Sequence, residues 1–218
     1  MYAYGRELLV FRTFLQSAMV DKIRLFGYAG RESMRGSGGF VMTVTGHYTS
    51  PLGEILLAAD ERGLTGLWLE GQKFDPAGLP AAHEERRTPI LAEAARWLDV
   101  YFSGQEPDFL PPLHPHGSEF QLAVWELLLQ IPYGQTTTYG ALARQLAARR
   151  GLSRMSAQAV GGAVGHNRIS VMIPCHRVVG TNGSLTGYAG GLDKKIRLLE
   201  LEHADMTGLF IPKRGTAL

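Results

Sequence analysis

A proline-rich stretch divides the chain into two parts with different patterns of apolar residues. Four prolines lie between Pro107 and Pro115, and a segment so poor in backbone donors is too stiff for a helix or a central strand. Short runs of β-forming residues precede it, and longer runs with helical spacing follow it. We therefore predict an α/β (α+β) protein, with a sheet-plus-helix domain at 41–106, a linker at 107–117 and a mainly helical domain at 118–218.

Three runs rich in β-forming residues predict an antiparallel sheet in the first domain. They are Val41 to Tyr48, Glu54 to Ala59 and Leu64 to Leu69. After a loop, apolar residues recur on one face at helical spacing and predict a helix that ends at Ser103: Ile90, Ala94, Trp97, Leu98 and Tyr101. The aromatic members of this stripe are expected to cover the sheet as core residues.

The second domain begins with a predicted capping box at Ser118, which opens a helix containing Trp125 as a packing residue. Two further short helices are predicted after Thr138 and Ser156, with a brief turn between them, as in a helix-turn-helix. Six of the nine residues at 157–165 are Ala or Gly, although glycine inside a helix costs about 1 kcal/mol relative to alanine. A helix this smooth serves either close packing against a neighbour or entry into a narrow DNA groove.

Charge is distributed unevenly along the chain of 218 residues. The net charge is +3 for residues 1–41, −6 for residues 42–116 and +5 for residues 117–218. The basic last third is expected to meet a polyanion. Residues 1–40 end in a glycine-rich stretch and are expected to form a poorly ordered extension.

Cys175 is the only cysteine, so it has no disulfide partner within the chain and fits a reducing compartment, which we expect to be the cytoplasm. No apolar run approaches the roughly 20 residues that span a bilayer, and no membrane association is expected. Three roles remain open for the thiol: a buried apolar residue, a metal ligand with histidines, or a nucleophile. Pro174 precedes it, and a base, His176, and a cation, Arg177, follow it.

The stretch Pro174-Cys175-His176-Arg177-Val178 resembles the active-site motif of the O(6)-alkylguanine-DNA alkyltransferases, also called methylated-DNA-protein-cysteine methyltransferases. Asn167 upstream and the glycine-rich stretch 187–191 downstream occur in the family's order, and the resemblance extends from about Pro51 to Glu202, closest to the bacterial type. It implies a winged-helix-like second domain. It also implies one transfer per molecule of a methyl or alkyl group from O(6)-alkylguanine, with O(4)-alkylthymine a further candidate, to the cysteine.

The resemblance implies that a base flipped out of double-stranded DNA reaches the thiol of a monomeric protein without cofactor or metal. For catalysis it implies Cys175 as nucleophile, His176 as a base acting through a bridging water, Glu202 as the acid that orients it, and Asn167 as a brace for the turn. The implied DNA and base contacts are Tyr139, Gln158, Val178, Tyr188, Ala189, Arg154 and Arg177.

One of these positions departs from the family. Most members have an arginine where this chain has Gln158, the finger that fills the place of the extruded nucleotide. Glutamine has a shorter reach and no charge, so weaker electrostatic attraction to DNA is expected.

Two rival functions and one rival site follow from the same residues. A non-catalytic lesion-binding protein of the alkyltransferase-like kind typically has tryptophan in place of Cys175. A cysteine hydrolase using Cys175 and His176 would need an oxyanion hole, for which no motif is seen. His114 and His116 have the chemistry to bind an ion, but a solvated linker is expected instead.

Overall fold

A four-stranded sheet begins the part of the chain that is described here, which comprises residues 42–73, 76 and 78–213 of a computed structural model. Its strands are β1 (Thr43–Ser50), β2 (Gly53–Ala59), β3 (Leu64–Leu69) and β4 (His83–Glu85). Their order is β3-β2-β1-β4, with antiparallel pairing among the first three. The three predicted strands are confirmed, and the predicted extension at 1–40 lies outside the described residues.

The first three strands follow from the turn chemistry of the first hairpin and from the apolar residues of β2 and β3. Gly53 follows the Pro51-Leu52 turn with a φ of 101°, a conformation that favours glycine because it has no Cβ. Ile55, Leu57 and Leu67 are buried, and each such side chain stabilises the fold by about 1.5–3 kcal/mol when it leaves water.

The fourth strand was not predicted. Residues 83–85 pair in parallel with Thr43, Val44 and Thr45 at the edge of the sheet, in a region where the sequence predicts only a loop. All three residues of β4 are exposed and none of them is a strong strand former. The pairing comes from the tertiary position of the segment, for which a local pattern gives no signal.

Helix α1 (Pro89–Phe102) covers the sheet as predicted. The Thr88 hydroxyl caps it by accepting a hydrogen bond from Leu91 N at 3.3 Å, and Pro89 occupies the first turn, where its missing N–H is tolerated. The helix ends before Ser103, as expected. Its buried residues are Leu91, Ala94, Trp97, Leu98 and Tyr101, so Leu91 rather than Ile90 opens the buried face.

Three helices form the core of the second part: α2 (Glu119–Leu128), α3 (Tyr139–Arg149) and α4 (Ala157–Gly165). The predicted caps are confirmed, including the reciprocal capping box of Ser118 and Gln121. Trp125 is buried and its indole N–H donates to Ala163 O at 2.8 Å. This bond ties α2 to α4, so Trp125 is a packing residue, as predicted.

A two-stranded parallel sheet connects the start of α3 to the cysteine motif. Strand β5 (Thr137–Thr138) pairs with β6 (Val178–Val179), directly after the 3-10 helix Cys175–Arg177. Helix α5 (Leu192–Leu201) follows and ends one residue before Glu202. Tyr139 and the cysteine turn are therefore held next to each other.

The two parts of the described chain are joined by backbone hydrogen bonds. Leu67 N donates to Arg168 O at 2.8 Å, and Ser170 N donates to Leu67 O at 3.0 Å. Strand β3 thereby supports the segment that leads into the cysteine motif. Within the described ranges, no helix combines the length and the apolar character needed to traverse a bilayer.

Candidate active site

Cys175 begins a 3-10 helix and is almost completely buried, with 4% of its surface exposed. Its backbone N–H donates to Ile173 O at 2.8 Å, which holds the turn tight around Pro174. Val171, four residues earlier, has a φ of 68°. A β-branched residue rarely adopts this left-handed conformation, and such strain is found mainly where the surrounding structure fixes a functional turn.

Asn167 braces this turn from inside. Its Nδ2 donates to Ile173 O at 2.8 Å and lies 3.1 Å from Cys175 Sγ, while its Oδ1 accepts from Ile169 N at 3.0 Å. One buried amide therefore satisfies backbone groups on both sides of the turn and also contacts the sulfur. An amide donor at this distance favours the charged form of a thiol.

His176 and Glu202 form a buried pair beside the cysteine. His176 Nε2 lies 2.7 Å from Glu202 Oε1, and neither side chain is exposed. The other ring nitrogen, Nδ1, has no partner among the described protein atoms. Burial lowers the pKa of His176, and the neighbouring carboxylate only partly opposes this shift. The ring is therefore a neutral base, oriented through Nε2.

Glu202 accepts hydrogen bonds from four residues. In addition to His176, its donors are Tyr101 Oη at 2.7 Å, Gly134 N at 3.2 Å, and Arg177 Nε and NH2 at 2.8 and 2.9 Å. Burial alone would raise the pKa of Glu202, but His176 and Arg177 hold it well below its usual range. The acid is therefore a fixed anion, and Tyr101 on α1 brings the first part of the chain into the site.

Arg177 lies inside this network rather than on the protein surface. Besides binding Glu202, its NH1 donates to Ile131 O at 2.6 Å, and only 8% of the residue is exposed. The prediction that Arg177 contacts DNA is therefore revised. A guanidinium with its donors directed at a buried carboxylate and a carbonyl supports the site from within.

Lys195 supplies a second buried cation, which the sequence interpretation missed. Its Nζ donates to Val178 O at 2.6 Å and to Thr186 O at 2.7 Å, and the residue is fully buried. Burial lowers the pKa of Lys195 to about 8, and the nearby Cys175 opposes this shift. The spacing along the helix could have predicted this burial, because Lys195 lies three residues before Leu198 and shares the buried face of α5 with it.

The thiol is subject to opposing influences. Burial raises the pKa of Cys175, while the amide of Asn167 and the charge of Lys195 act to lower it. The sulfur is therefore buried, and its pKa is raised despite these two opposing groups.

The glycine-rich loop 187–191 lies over the site. Tyr139 Oη donates to Thr186 O at 3.1 Å and Gly187 O at 3.4 Å. Tyr188 is buried, and its ring centroid lies 6.3 Å from that of His176. Ala189 O accepts from Lys73 N at 2.8 Å. The loop is thus anchored near Tyr139 and against the first part of the chain.

Helix α4 presents a smooth exposed face. Ala157, Gln158, Ala159 and Gly162 are exposed, and a Cβ added at Gly162 would meet nothing within 4 Å. Arg154 is exposed just before the helix. Val160 and Ala163 are buried on the other side, so the small residues serve packing on one face and leave the opposite face free of bulk.

Two family models match the chain. The model for the 6-O-methylguanine DNA methyltransferase, ribonuclease-like domain matches residues 43–115, and that for the 6-O-methylguanine DNA methyltransferase, DNA binding domain matches residues 119–204. A methylated-DNA-protein-cysteine methyltransferase of Methanosarcina acetivorans is 44% identical over 71% of this chain and 95% of the relative. The chain belongs to the methylated-DNA-protein-cysteine methyltransferase family. A relative with the same description from Mycobacterium leprae is 42% identical over 73% of this chain and 93% of its own length.

Solved structures of other methyltransferases of this family have the same fold. The Mycobacterium tuberculosis OGT in complex with DNA superimposes with a TM-score of 0.63 at 37% identity, covering 77% of this chain and 98% of that one. The Mycobacterium tuberculosis O6-methylguanine methyltransferase gives 0.64 at 39% identity, covering 76% and 98%. The predicted fold class, with a sheet domain followed by a helical DNA-binding domain, is confirmed.

The predicted positions of this methyltransferase fall into two groups in the structure. Asn167, Cys175, His176 and Glu202 lie in one buried network, with Tyr139, Val178, Tyr188 and Ala189 next to it or in the loop above it. Gln158 and Arg154 lie on the exposed side of α4 and its entry. His114 departs from the expectation of a solvated linker, since it is half-buried and its Nδ1 lies 2.6 Å from Asp60 Oδ2.

Proposed function

We propose that this chain repairs alkylated DNA directly, by moving one methyl or alkyl group from O(6)-alkylguanine to Cys175. The observation that carries the proposal is a single thiol held in a buried turn between an amide donor, Asn167, and a histidine-carboxylate pair. The family relationship supports the same reaction class. O(4)-alkylthymine is a further candidate substrate.

The transfer is a displacement at carbon. The sulfur of Cys175 forms a bond to the alkyl carbon as the bond from that carbon to the guanine oxygen breaks, and the electron pair of the broken bond stays with the base. The thiol proton is taken up by His176 Nδ1 through a bridging water, and one proton returns to the leaving guanine. Because nothing in this sequence of steps breaks the new thioether, each molecule acts once.

Each charged group of the network has a role in this step. Glu202 fixes the orientation of His176 and stabilises the imidazolium that forms when the ring takes up a proton. Arg177 keeps Glu202 ionised and in place. Lys195 places a positive charge near the developing thiolate and fixes the carbonyl of Val178, whose second lone pair is left for the amino group of the base.

Recognition of the flipped base is assigned to the loop 187–191 and to Tyr139. The Tyr139 hydroxyl contacts the base and the phosphate turned with it, Tyr188 forms an apolar wall, and the Ala189 N–H donates to the guanine oxygen. Because the sulfur is buried, we propose that entry of the base breaks the hydrogen bonds between Tyr139 and the carbonyls of residues 186 and 187.

Double-stranded DNA is the proposed partner of a monomer, and the cytoplasm is the proposed location. Helix α4 enters the minor groove, Arg154 contacts phosphate, and Gln158 fills the space left in the base stack. A non-catalytic lesion-binding protein is not favoured. Such proteins typically have tryptophan at the position of Cys175, whereas this chain has a thiol there, followed by the base His176.

The test is exposure of the protein to a duplex containing O(6)-methylguanine, followed by mass spectrometry of the protein. We expect one added methyl group on Cys175, in proportion to the lesion supplied and without turnover. Cys175→Ala is expected to bind the duplex and to leave the lesion unrepaired. A protein that binds the lesion and acquires no methyl group would instead be a lesion sensor.

A further inference from the structure

Three metal-ligating side chains converge outside the reaction site, at the beginning of β3. Asp60 follows β2, while His114 and His116 come from the proline-rich segment. The Asp60 side chain is 2% exposed, that of His114 is 24% exposed and that of His116 is 54% exposed. The carboxylate therefore forms the buried inner side of the cluster, and solvent reaches the outer side at His116.

Backbone contacts hold the two segments together at this point. Asp60 Oδ1 accepts from Arg62 N at 2.9 Å and from Gly63 N at 3.0 Å, so Oδ2 is left to face the histidines. Leu64 N donates to Pro112 O at 2.8 Å, and His114 N donates to Leu64 O at 2.7 Å. The carboxylate and the first histidine are therefore placed by the backbone, independently of any contact between their side chains.

The three ligand atoms form a triangle of suitable size for one small cation. Asp60 Oδ2 lies 2.6 Å from His114 Nδ1 and 3.8 Å from His116 Nε2, and the two nitrogens are 3.3 Å apart. A triangle with these sides has a circumscribed radius of about 1.9 Å, so one point near its plane lies about 2.0–2.1 Å from all three atoms, which matches zinc-nitrogen and zinc-oxygen bonds.

Hydrogen bonds alone cannot satisfy all three of these ligand atoms at once. His114 Nδ1 faces both Asp60 Oδ2 and His116 Nε2, yet one nitrogen carries at most one proton to share between them. A cation replaces that proton and accepts a lone pair from each of the three atoms. The Asp60-His114 distance would then lengthen by about 0.7 Å, because tetrahedral zinc ligands are farther apart than hydrogen-bonded atoms.

We propose that Asp60, His114 and His116 bind a divalent transition-metal ion, with Zn²⁺ as the ion that suits two imidazoles and one carboxylate. Three protein ligands leave the fourth tetrahedral position to water. The ion links the turn between β2 and β3 to the proline-rich segment, so its effect is on stability and on the placement of that segment. Methyl transfer does not pass through it.

The test uses the full-length protein, freed of metal by a chelator and then titrated with Zn²⁺ in a calorimeter. We expect one ion per chain and a Tm that rises with the logarithm of free Zn²⁺. His116→Ala is the main variant, since its exposed ring can be removed without disturbing the fold, and we expect at least a tenfold weaker affinity. His83→Ala, which removes another exposed histidine, is the matched control and should bind as the parent does.

Co²⁺ provides a second readout that separates this site from the thiol. Binding by two imidazoles and a carboxylate gives visible absorption without the intense near-ultraviolet band of a thiolate ligand. Loss of the visible bands in His116→Ala, with His83→Ala unchanged, would support the proposal. No stoichiometric binding, equal binding by both variants, or a thiolate band that persists in His116→Ala would overturn it.

Discussion

The reaction site and the exposed face of α4 lie in the same half of the chain but are built in opposite ways. In the reaction site, Cys175, His176, Glu202 and Lys195 are buried, and the charged groups each have several partners. On α4, the outer side chains are small and exposed, and Gly162 has open space above it. The contrast agrees with the two proposed roles, because a reacting sulfur needs fixed charges around it and a helix that enters a DNA groove needs an unobstructed surface.

This difference has a consequence for substitutions. A change in the reaction site leaves buried donors or charges without partners, so it should affect both folding and rate. A change on the face of α4 meets mostly solvent, so it should affect DNA binding and leave folding nearly unaltered. The following variants test this contrast, from the largest expected effect to the smallest.

Glu202→Gln should have the largest effect, because it leaves Arg177 buried without its anion. We expect the free energy of unfolding to fall by about 3–5 kcal/mol, as when one partner of a buried ion pair is removed. Urea denaturation measures the change. The control is Glu200→Gln, which removes an exposed acid two residues away and should stay within about 0.5 kcal/mol. Equal losses in both variants would mean that the buried network is not what stabilises this region.

Acid stability should follow from the same network. The pKa of Glu202 is held below its usual range, so the unfolded chain binds more protons than the folded one below about pH 4.3. The lowered pKa of His176 acts in the same direction below about pH 6.5. Stability should therefore fall as the pH drops through this window. Below pH 5, the free energy of unfolding should fall less steeply with decreasing pH in Glu202→Gln than in the parent protein. Urea denaturation at each pH measures this slope.

Lys195→Met should raise the pKa of the Cys175 thiol, because it removes a buried positive charge that lowers this pKa while filling similar space. The pH dependence of alkylation by iodoacetamide should shift to higher pH in this variant, because the thiolate loses a nearby positive charge. Lys194→Met is the matched control, since that side chain donates to Glu70 O on the outside of α5. A shift of the same size in both variants would remove Lys195 from the proposed role.

Tyr101→Phe should cost about 1–3 kcal/mol, because the phenol donates 2.7 Å from a buried carboxylate. The rate of methyl transfer should fall as well, since Glu202 loses its link to α1. Tyr48→Phe loses an exposed hydrogen bond to Asp99 of the same helix and serves as the control for stability and for rate. A normal rate in Tyr101→Phe would show that Arg177 and Gly134 suffice to hold the acid.

Gln158→Arg should have the smallest effect on folding and a clear effect on DNA binding. The added charge should tighten binding to duplex DNA and make the slope of log affinity against log salt steeper by about one unit. Stability should change by less than about 0.5 kcal/mol, because Gln158 is exposed. The control is Gln135→Arg, which adds the same charge at an exposed position in the turn before β5. An equal gain in affinity at both positions would indicate non-specific electrostatic attraction to DNA rather than insertion of residue 158 into the base stack.

Much of the fold was predictable because its signals are local. Caps at Ser118, Thr138 and Ser156, and the helical stripe of α1, each depend on residues within one or two turns of each other. Strand β4 was missed because its three residues pair with β1 only through their position in space. Lys195 was missed although its spacing placed it on the buried face of α5, because a lysine is rarely fully buried.

The sequence by itself determined the local elements, the single thiol and the motif around it, because these depend on residue type and short-range spacing. Only the tertiary structure decided that Arg177 faces inward, that Tyr101 reaches across from α1, and that a buried lysine lies under the loop. It also brought Asp60 to the two histidines. These contacts join residues far apart in the chain, and their geometry is fixed by the packing of whole elements rather than by any local pattern.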